Sequence, residues 1–299
     1  MSKKFYYGGQ AVIEGVMMRG KKAMVTAVRR PNGELTLDAQ PLATIYTGWL
    51  RRTPLIRGII VLIEALVLGI KALLYSANVS LEEEEEKISG WLVAMMLTVS
   101  LVMSVVLFFL APLFLTRLLN PYISSSLVFH LIEGFVRVGI FVLYLKLVTL
   151  VPDIKRVFAY HGAEHKVVNA FEDGVPLEVE ATKAYDTAHR RCGTSFLFVV
   201  LIIAIVVFAI IGRPSLWLMI AARVVLIPVI AAFGYEVIYF GAGHAHNRIV
   251  RILVAPGLWL QTLTTRPPDD SQLEVAVSAL KKVVEMDQSE EAAPAPAAP

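Results

Sequence analysis

The chain has 299 residues, of which 56% are hydrophobic and 18% are charged. This balance is too apolar for an ordinary soluble protein and predicts several membrane spans, so the lipid bilayer is the first expected partner. The formal net charge of +3 is small, and no nucleic-acid partner is expected. A single cysteine, Cys192, excludes an internal disulfide and leaves a thiol available as a ligand or nucleophile.

Residues 1–53 are soluble in character and are predicted to contain an N-terminal β-hairpin. Apolar and polar residues alternate over 23–30 and 34–40, and Pro31-Asn32-Gly33 between them is a turn signal. The glycine-rich stretch 8–20 predicts a loop whose backbone approaches a ligand or another segment closely. Glu14 in this loop is a candidate metal or substrate contact, and a structural tight turn is the alternative.

The next segment, 54–77, is apolar but carries Arg57, Glu64 and Lys71 at seven-residue spacing. On a helix this spacing places the three charges on one stripe. Such a stripe favours an interfacial or packed amphipathic helix over a span exposed to lipid.

Two transmembrane hairpins are predicted at 91–151 and 196–240, which gives four spans. The polar segment 152–195 lies between them and holds the candidate metal site. Residues 241–288 are predicted to form C-terminal cytoplasmic or interfacial helices, and the Glu-, Ala- and Pro-rich tail 289–299 is predicted to be disordered.

Basic residues predict which side of the membrane each polar segment occupies. Segments 1–53, 152–195 and 241–299 hold nine, six and five Lys and Arg residues, whereas the turns between spans hold almost none. The positive-inside rule therefore places all three segments, and both termini, in the cytoplasm. The predicted fold is a polytopic α-helical protein of the inner (cytoplasmic) membrane, with about four spans, an interfacial helix and a small cytoplasmic α+β cap.

A polar set lies within the predicted spans. His130, Glu133 and Arg137 follow i, i+3, i+7 spacing on the second span, and Arg223 lies in the fourth. Charges at that depth are costly and normally face a partner or a watery cavity. The set predicts either a proton or ion path, or a buried ion pair of Glu133 with an arginine that orients the helices.

The stretch His161-Gly162-Ala163-Glu164-His165 carries the strongest chemical signal. On a helix, His161 and His165 project from one face and can bind one metal ion. The order His-x-x-Glu-His is that of the inverted zinc-hydrolase motif, in which the Glu activates a water on the metal. Glu164 is therefore the candidate catalytic base, and the alternative is a polar network in which Glu164 pairs with Lys166 or Arg190.

A catalytic zinc takes three protein ligands and leaves one position open, so a third ligand is needed. His189 and Cys192 are i and i+3, and each is a candidate ligand. Glu236, His244 and His246 are further candidates, as ligands or substrate contacts, because the predicted topology places them on the same side of the membrane. Cys192 can also be read as a small buried residue.

Four stretches of the chain together resemble the YqhQ-like bacterial membrane-protein family. They are GGQAVIEGVMMRG (8–20), YHGAEHKVVNAFE (160–172), HRRCGTSF (189–196) and PGLWLQTLTTRPPDDSQLEVA (256–276). That family is described as a domain of unknown function and as predicted metal-dependent enzymes. The resemblance implies metal ligands among His161, Glu164, His165, His189 and Cys192, and it implies no particular substrate.

The functional expectation is a metal-dependent hydrolase at the cytoplasmic membrane surface. A divalent metal, zinc by its ligands, is the expected cofactor, and the substrate is an unidentified membrane-associated molecule. Two alternatives remain open: a structural metal site with the four protein ligands His161, His165, His189 and Cys192 and no open position, and a non-enzymatic transporter or scaffold. The sequence leaves the oligomeric state open.

Overall fold

The computed structural model describes residues 5–81, 89–244 and 247–292. Its N-terminal part is a four-stranded antiparallel sheet in the order β1-β2-β3-β4. The strands β1 to β4 are Gly8–Val12, Gly15–Arg19, Ala23–Arg29 and Leu35–Pro41.

The predicted hairpin is confirmed as strands β3 and β4, with the turn at Pro31-Asn32-Gly33. The prediction of a loop over 8–20 is wrong, because these residues form a second hairpin, β1–β2. Glycines in this stretch weaken the sequence pattern that predicts strands. They are nevertheless required, because neighbouring backbone atoms pack closely against them. A Cβ built on Gly15 would lie 2.2 Å from the carbonyl oxygen of Ala27 on the neighbouring strand.

The rest of the described chain is mainly helical. Helices α1 to α10 are Ile56–Ser80, Gly90–Val105, Ala111–Arg117, Ser126–Val148, Pro152–Glu172, Val179–Thr182, Gly193–Ile211, Leu216–Gly243, Arg248–Thr264 and Asp270–Ala292. A π-helical segment, Val106–Leu110, joins α2 to α3 without a break.

Five helical stretches of the described chain are long and apolar enough to cross a membrane, which indicates a membrane-embedded protein. They are Ile56–Ser80, Gly90–Arg117, Ser126–Val148, Gly193–Ile211 and Leu216–Gly241. Four of them correspond to the predicted spans. The remaining one, α1, corresponds to the segment predicted to be interfacial.

Helix α1 packs against two different partners along its length. Its N-terminal part lies against α8, where a Cβ built on Gly58 would lie 2.9 Å from the Cα of Ala232. Its C-terminal part lies against the sheet, where Leu68 and Ala72 are buried. Helix α1 therefore connects the sheet to the bundle of apolar helices.

The sheet is covered on both faces. One face packs on α5 and α10 in the largest hydrophobic core, and the other packs on α1. This two-sided burial explains why β2 and β3 are apolar almost throughout. The sheet, α5 and α10 form a cap at one end of the apolar helices.

The C-terminal helices differ from the predicted boundaries. Helix α9 continues through Pro256, and α10 extends to Ala292, so residues 289–292 are helical instead of disordered. Asp269 caps α10: its Oδ1 accepts from the backbone N–H of Gln272, 2.9 Å, and the Gln272 side chain accepts from the backbone of Asp269. The remainder of the predicted tail, 293–299, lies outside the described residues.

Candidate metal centre

The His-x-x-Glu-His stretch lies in the middle of α5, which begins at Pro152 directly after α4. Because the stretch is helical, His161 and His165 lie one turn apart on the same face, with ring centroids 4.4 Å apart. Glu164 and His165 are buried, at 4% and 1% exposure. The helical geometry on which the metal prediction depends is therefore present.

Cys192 completes a group of three potential ligands. It is the N-cap residue of α7, where its sulfur accepts from the backbone N–H of Thr194. Its Sγ lies 3.3 Å from Nε2 of His161. One ligand atom from each of His161, His165 and Cys192 lies within 4.8 Å of the other two. Ligands of a tetrahedral zinc ion lie about 3.3–3.8 Å apart, so a shift of about 1 Å would suffice to hold an ion.

Both histidines are oriented through their second ring nitrogen. Nδ1 of His161 donates to the carbonyl oxygen of Thr264 at 2.8 Å, and Nδ1 of His165 donates to that of Thr187 at 2.5 Å. A carbonyl oxygen can only accept, so each Nδ1 carries the proton. A ring that carries only this proton presents a bare lone pair at Nε2. Metal-binding histidines commonly have this arrangement.

Glu164 is held between the sheet and His165. Its Oε1 accepts from the backbone N–H of Gly9 at 2.8 Å, and its Oε2 lies 3.5 Å from Nε2 of His165. The alternative pairing with Lys166 is not formed, because the Lys166 ammonium donates to the carbonyl oxygens of Lys183 and Tyr185. The carboxylate therefore faces the second ring nitrogen of His165.

His189 lies beside the three-ligand group but is not part of it. Its ring is 5.5 Å from that of His165, and its Nε2 lies 3.4 Å from a guanidinium nitrogen of Arg191. Burial lowers the pKa of His189. Its backbone is fixed by Gln261, which accepts from the N–H and donates to the carbonyl, both at 2.8 Å. Between the two alternatives for the third ligand, the geometry favours Cys192.

Sequence reasoning missed four residues that position these side chains. They are Gly9, which binds Glu164, Gln261, which fixes the 189–192 turn, and Thr264 and Thr187, whose carbonyls orient His161 and His165. Gln261 had a detectable signal, since it is a polar residue in a mainly apolar stretch of α9. The other three act through backbone atoms, which leave no signal in the sequence.

Of the four additional candidates, the three in the described part of the chain lie elsewhere. Glu14 accepts from the Arg156 guanidinium and from the Tyr160 hydroxyl, and Glu236 is bound by Arg57 and by the backbone N–H of Leu55. His244 is exposed at the end of α8, with its ring stacked on Phe240. His246 lies outside the described residues.

The polar set of the predicted spans, His130, Glu133, Arg137 and Arg223, forms one buried ion cluster. Oε1 of Glu133 accepts from both Arg137 and Arg223, at 2.5 and 2.6 Å, and His130 lies 3.3 Å from its other oxygen. Arg137 also donates to the carbonyl oxygen of Phe108 in the π-helical segment. This arrangement agrees with the ion-pair interpretation, and Glu133 pairs with both arginines instead of one.

The comparisons with known proteins fit these motifs. A family model described as "Protein of unknown function (DUF1385)" matches residues 53–286. The chain belongs to this family. It is similar to "Uncharacterized protein YqhQ" of Bacillus subtilis (strain 168), with 36% identity over 295 residues that cover 94% of this chain and 93% of that protein. No solved structure gives a significant match. The family resemblance is confirmed, and it leaves the activity to be argued from the site.

Proposed function

We propose that the protein is a metal-dependent hydrolase at the cytoplasmic face of the membrane, with zinc held by His161, His165 and Cys192. One observation supports this most directly. Nε2 of His165 and a carboxylate oxygen of Glu164 are 3.5 Å apart, and at that distance a ring whose only proton is at Nδ1 and the carboxylate would repel each other. A metal ion bound at Nε2 of His165 removes this repulsion, because its positive charge lies beside the carboxylate. A proton that converts His165 to imidazolium is the competing explanation, and metal analysis distinguishes the two.

The chemical character of the three ligand atoms favours zinc. Imidazole nitrogen together with thiolate sulfur is a common zinc combination, and two histidines with one cysteine leave a fourth position open. A zinc ion supplies Lewis acidity and makes a water molecule acidic near neutral pH. In this proposal Glu164 accepts the proton, because its carboxylate is already held toward the site by Gly9. The substrate is a membrane-associated peptide or lipid-linked molecule.

A structural metal site is the second candidate, and burial is the observation that favours it. Glu164, His165 and Cys192 are exposed by only 4%, 1% and 6%. A closed four-ligand site would use Glu164 as the fourth ligand. In that case the metal would stabilise the packing of α5 against the start of α7, and no reaction would occur.

The proposed topology has four spans, with α1 in the interface and both termini in the cytoplasm. Gly9 of β1 bonds to Glu164 of α5, so the sheet and α5 must lie on the same side of the membrane. This contact supports an even number of membrane crossings by the chain between the sheet and α5. The α2–α3 segment and α4 already provide two crossings. A third crossing by α1 would carry α5 away from the sheet. The charge counts of the three basic segments favour the cytoplasmic side for this cap.

The test is metal content in the full-length protein, purified in detergent under metal-replete conditions. We expect stoichiometric zinc in the wild type and in the control His244→Ala, whose exposed ring lies at the end of α8. We expect His165→Ala and Cys192→Ser to lose the metal. A catalytic Glu164 predicts that Glu164→Gln keeps the metal, whereas a structural ligand predicts that it loses it.

A wild type without stoichiometric metal would reject both the hydrolase and the structural metal site. It would favour the non-enzymatic alternative, a small transporter or scaffold. Retained metal in Cys192→Ser, with His165→Ala depleted, would move the third ligand from Cys192 to His189.

A further inference from the structure

A second polar site lies at the end of the helix bundle opposite the cap. It is a cavity of about 260 Å³, here termed the distal cavity. Its lining residues include Arg117, Asn120, Phe129, Arg213, Pro214 and Leu216. The end of α3, the start of α4 and the turn between α7 and α8 therefore meet around one space. Helix α4 enters the cap at its other end, about 30 Å away along its axis.

Two exposed aromatic residues indicate the depth at which the distal cavity lies. Tyr122, in the turn after α3, and Trp217, at the start of α8, are exposed by 85% and 79%. Exposed Tyr and Trp side chains at the ends of membrane spans are typical of the boundary between lipid and water. The same turns form the cavity, so a ligand bound there would lie at the depth of the lipid headgroups.

The two arginines of the distal cavity have no counter-charge of their own. The stretches 90–132 and 193–235 contain no Asp or Glu. Arg117 is exposed and has no partner in the described part of the chain. Arg213 donates to two backbone carbonyl oxygens and, at 3.3 Å, to the side-chain oxygen of Asn120. These acceptors are neutral, and the guanidinium has more donors than they use.

Glu133, the acidic residue nearest to the distal cavity along α4, does not neutralise these arginines. It lies one helical turn beyond Phe129 and already accepts from both Arg137 and Arg223. That cluster therefore has one positive charge in excess. It adjoins the cavity, because Arg223 donates at 2.9 Å to the carbonyl oxygen of the lining residue Met219. Counting all four arginines against Glu133 leaves three positive charges uncompensated at this end of the bundle.

We propose that the distal cavity binds the phosphate group of an anionic phospholipid. Guanidinium groups match phosphate oxygens in charge and geometry, and those of Arg117 and Arg213 are accessible. Pro214 and Leu216 add apolar, partly exposed surface beside them, which suits the glycerol and acyl part of a lipid. A soluble phosphate would use the arginines alone, so the apolar lining and the depth of the cavity favour the lipid. The proposal does not depend on the metal centre, which lies at the other end of the bundle.

The test uses full-length protein in dodecyl maltoside and native mass spectrometry, which counts bound lipid molecules individually. Phosphatidylglycerol is the anionic probe, and phosphatidylcholine, whose phosphate is neutralised by its own choline, is the comparison. Inorganic phosphate, followed by calorimetry, represents a soluble ligand.

Two variants separate the charge of the distal cavity from its space. Arg117→Gln removes a guanidinium that has no bond within the described chain to lose, so the protein should fold normally. Leu216→Trp keeps both arginines and fills the cavity. The control is Lys281→Gln, which removes one positive charge from an exposed position of α10 on the cap. Thermal unfolding checks that each variant is folded.

We expect one phosphatidylglycerol molecule to bind more tightly than phosphatidylcholine. Its affinity should fall at least about tenfold in Arg117→Gln and in Leu216→Trp and stay unchanged in Lys281→Gln. The proposal is overturned if phosphatidylglycerol binds no better than phosphatidylcholine, or if inorganic phosphate saturates the site and the lipid does not. It is also overturned if either folded cavity variant binds as the wild type does, or if Lys281→Gln weakens binding equally, since general attraction by positive charge would then explain the result.

Discussion

At the scale of single residues, Gly162 shows how tightly the metal motif is enclosed. A Cβ built on Gly162 would lie 2.1 Å from the backbone carbonyl oxygen of Arg266. The linker between α9 and α10 crosses α5 at this point and is fixed there by a 2.9 Å bond from the Arg266 N–H to the carbonyl of Phe158. The glycine between His161 and Ala163 is therefore required by packing against that linker.

We predict that Gly162→Ala lowers the free energy of unfolding by about 1–3 kcal/mol, because the linker backbone must move to admit the methyl group. Helix propensity alone would favour alanine by about 1 kcal/mol. Gly139→Ala is the matched control: Gly139 is also a helical glycine, and a Cβ there has no other atom within 4 Å. Chemical denaturation in detergent measures both variants. Equal stability of Gly162→Ala and the wild type would contradict the close approach.

Candidate ligands could be predicted from the sequence where their side chains lie close together along the chain. His161, Glu164 and His165 lie within one helical turn or so, and Cys192 is the only thiol, so each was visible as a candidate. The choice between Cys192 and His189 was not predictable. It depends on Gln261, which is 72 residues away from His189 and turns the backbone so that the sulfur faces His161.

At the scale of elements, α9 has two functions in one helix. Its N-terminal half exposes Ile249 and Ile252 together with arginines, as an interfacial helix does. Its C-terminal half buries Leu260 and Gln261 beside the candidate metal centre, where Gln261 also donates to the Ser195 hydroxyl at 2.9 Å. Because Gln261 bonds to the 189–192 turn, α9 positions one wall of the site.

We predict that Gln261→Leu weakens zinc binding by about 10–100-fold while the protein remains folded, as is usual for residues that support metal ligands indirectly. Leucine has a similar size but cannot bond to the His189 backbone, so Cys192 loses its fixed position. Competition with a chromophoric chelator measures the affinity. Thr262→Val is the control, since Thr262 is exposed and bonds only within its own helix. Wild-type affinity in Gln261→Leu would show that the turn is held by other contacts.

Helices α4 and α8 are joined by the Glu133 cluster, in which one carboxylate serves two arginines. We predict that Glu133→Gln destabilises the protein by about 3–5 kcal/mol, because Arg137 and Arg223 are then left buried without a counter-charge. Thermal unfolding in detergent measures the effect. The zinc content of the protein that remains folded should stay at the wild-type level. Loss of zinc in a folded Glu133→Gln variant would instead link the cluster to the metal centre.

At the scale of the whole molecule, the apolar helices were predictable because their length and composition are local properties. The second hairpin of the sheet was not, because Gly9 and Gly15 are strand residues only in the presence of their neighbours. Length and composition also cannot decide whether α1 crosses the membrane. Two of its three charged residues are engaged by distant partners: Glu64 binds Arg19 of β2 and Arg57 binds Glu236 of α8.

The topology gives the last prediction, because the sheet and α5 contact each other and must share one side of the membrane. Reporter fusions after Gly90 and after Gly174 should both report the cytoplasm. Gly90 follows α1 and Gly174 follows α5, so agreement between them means that the α2–α3 segment and α4 either both cross or both do not, and with the contact between Gly9 and Glu164 it means that α1 does not cross. An external reporter at Gly90 with a cytoplasmic one at Gly174 would make α1 a true span. It would also require α2–α3 or α4 to stay on one side, because the bond between Gly9 and Glu164 fixes the even number of crossings.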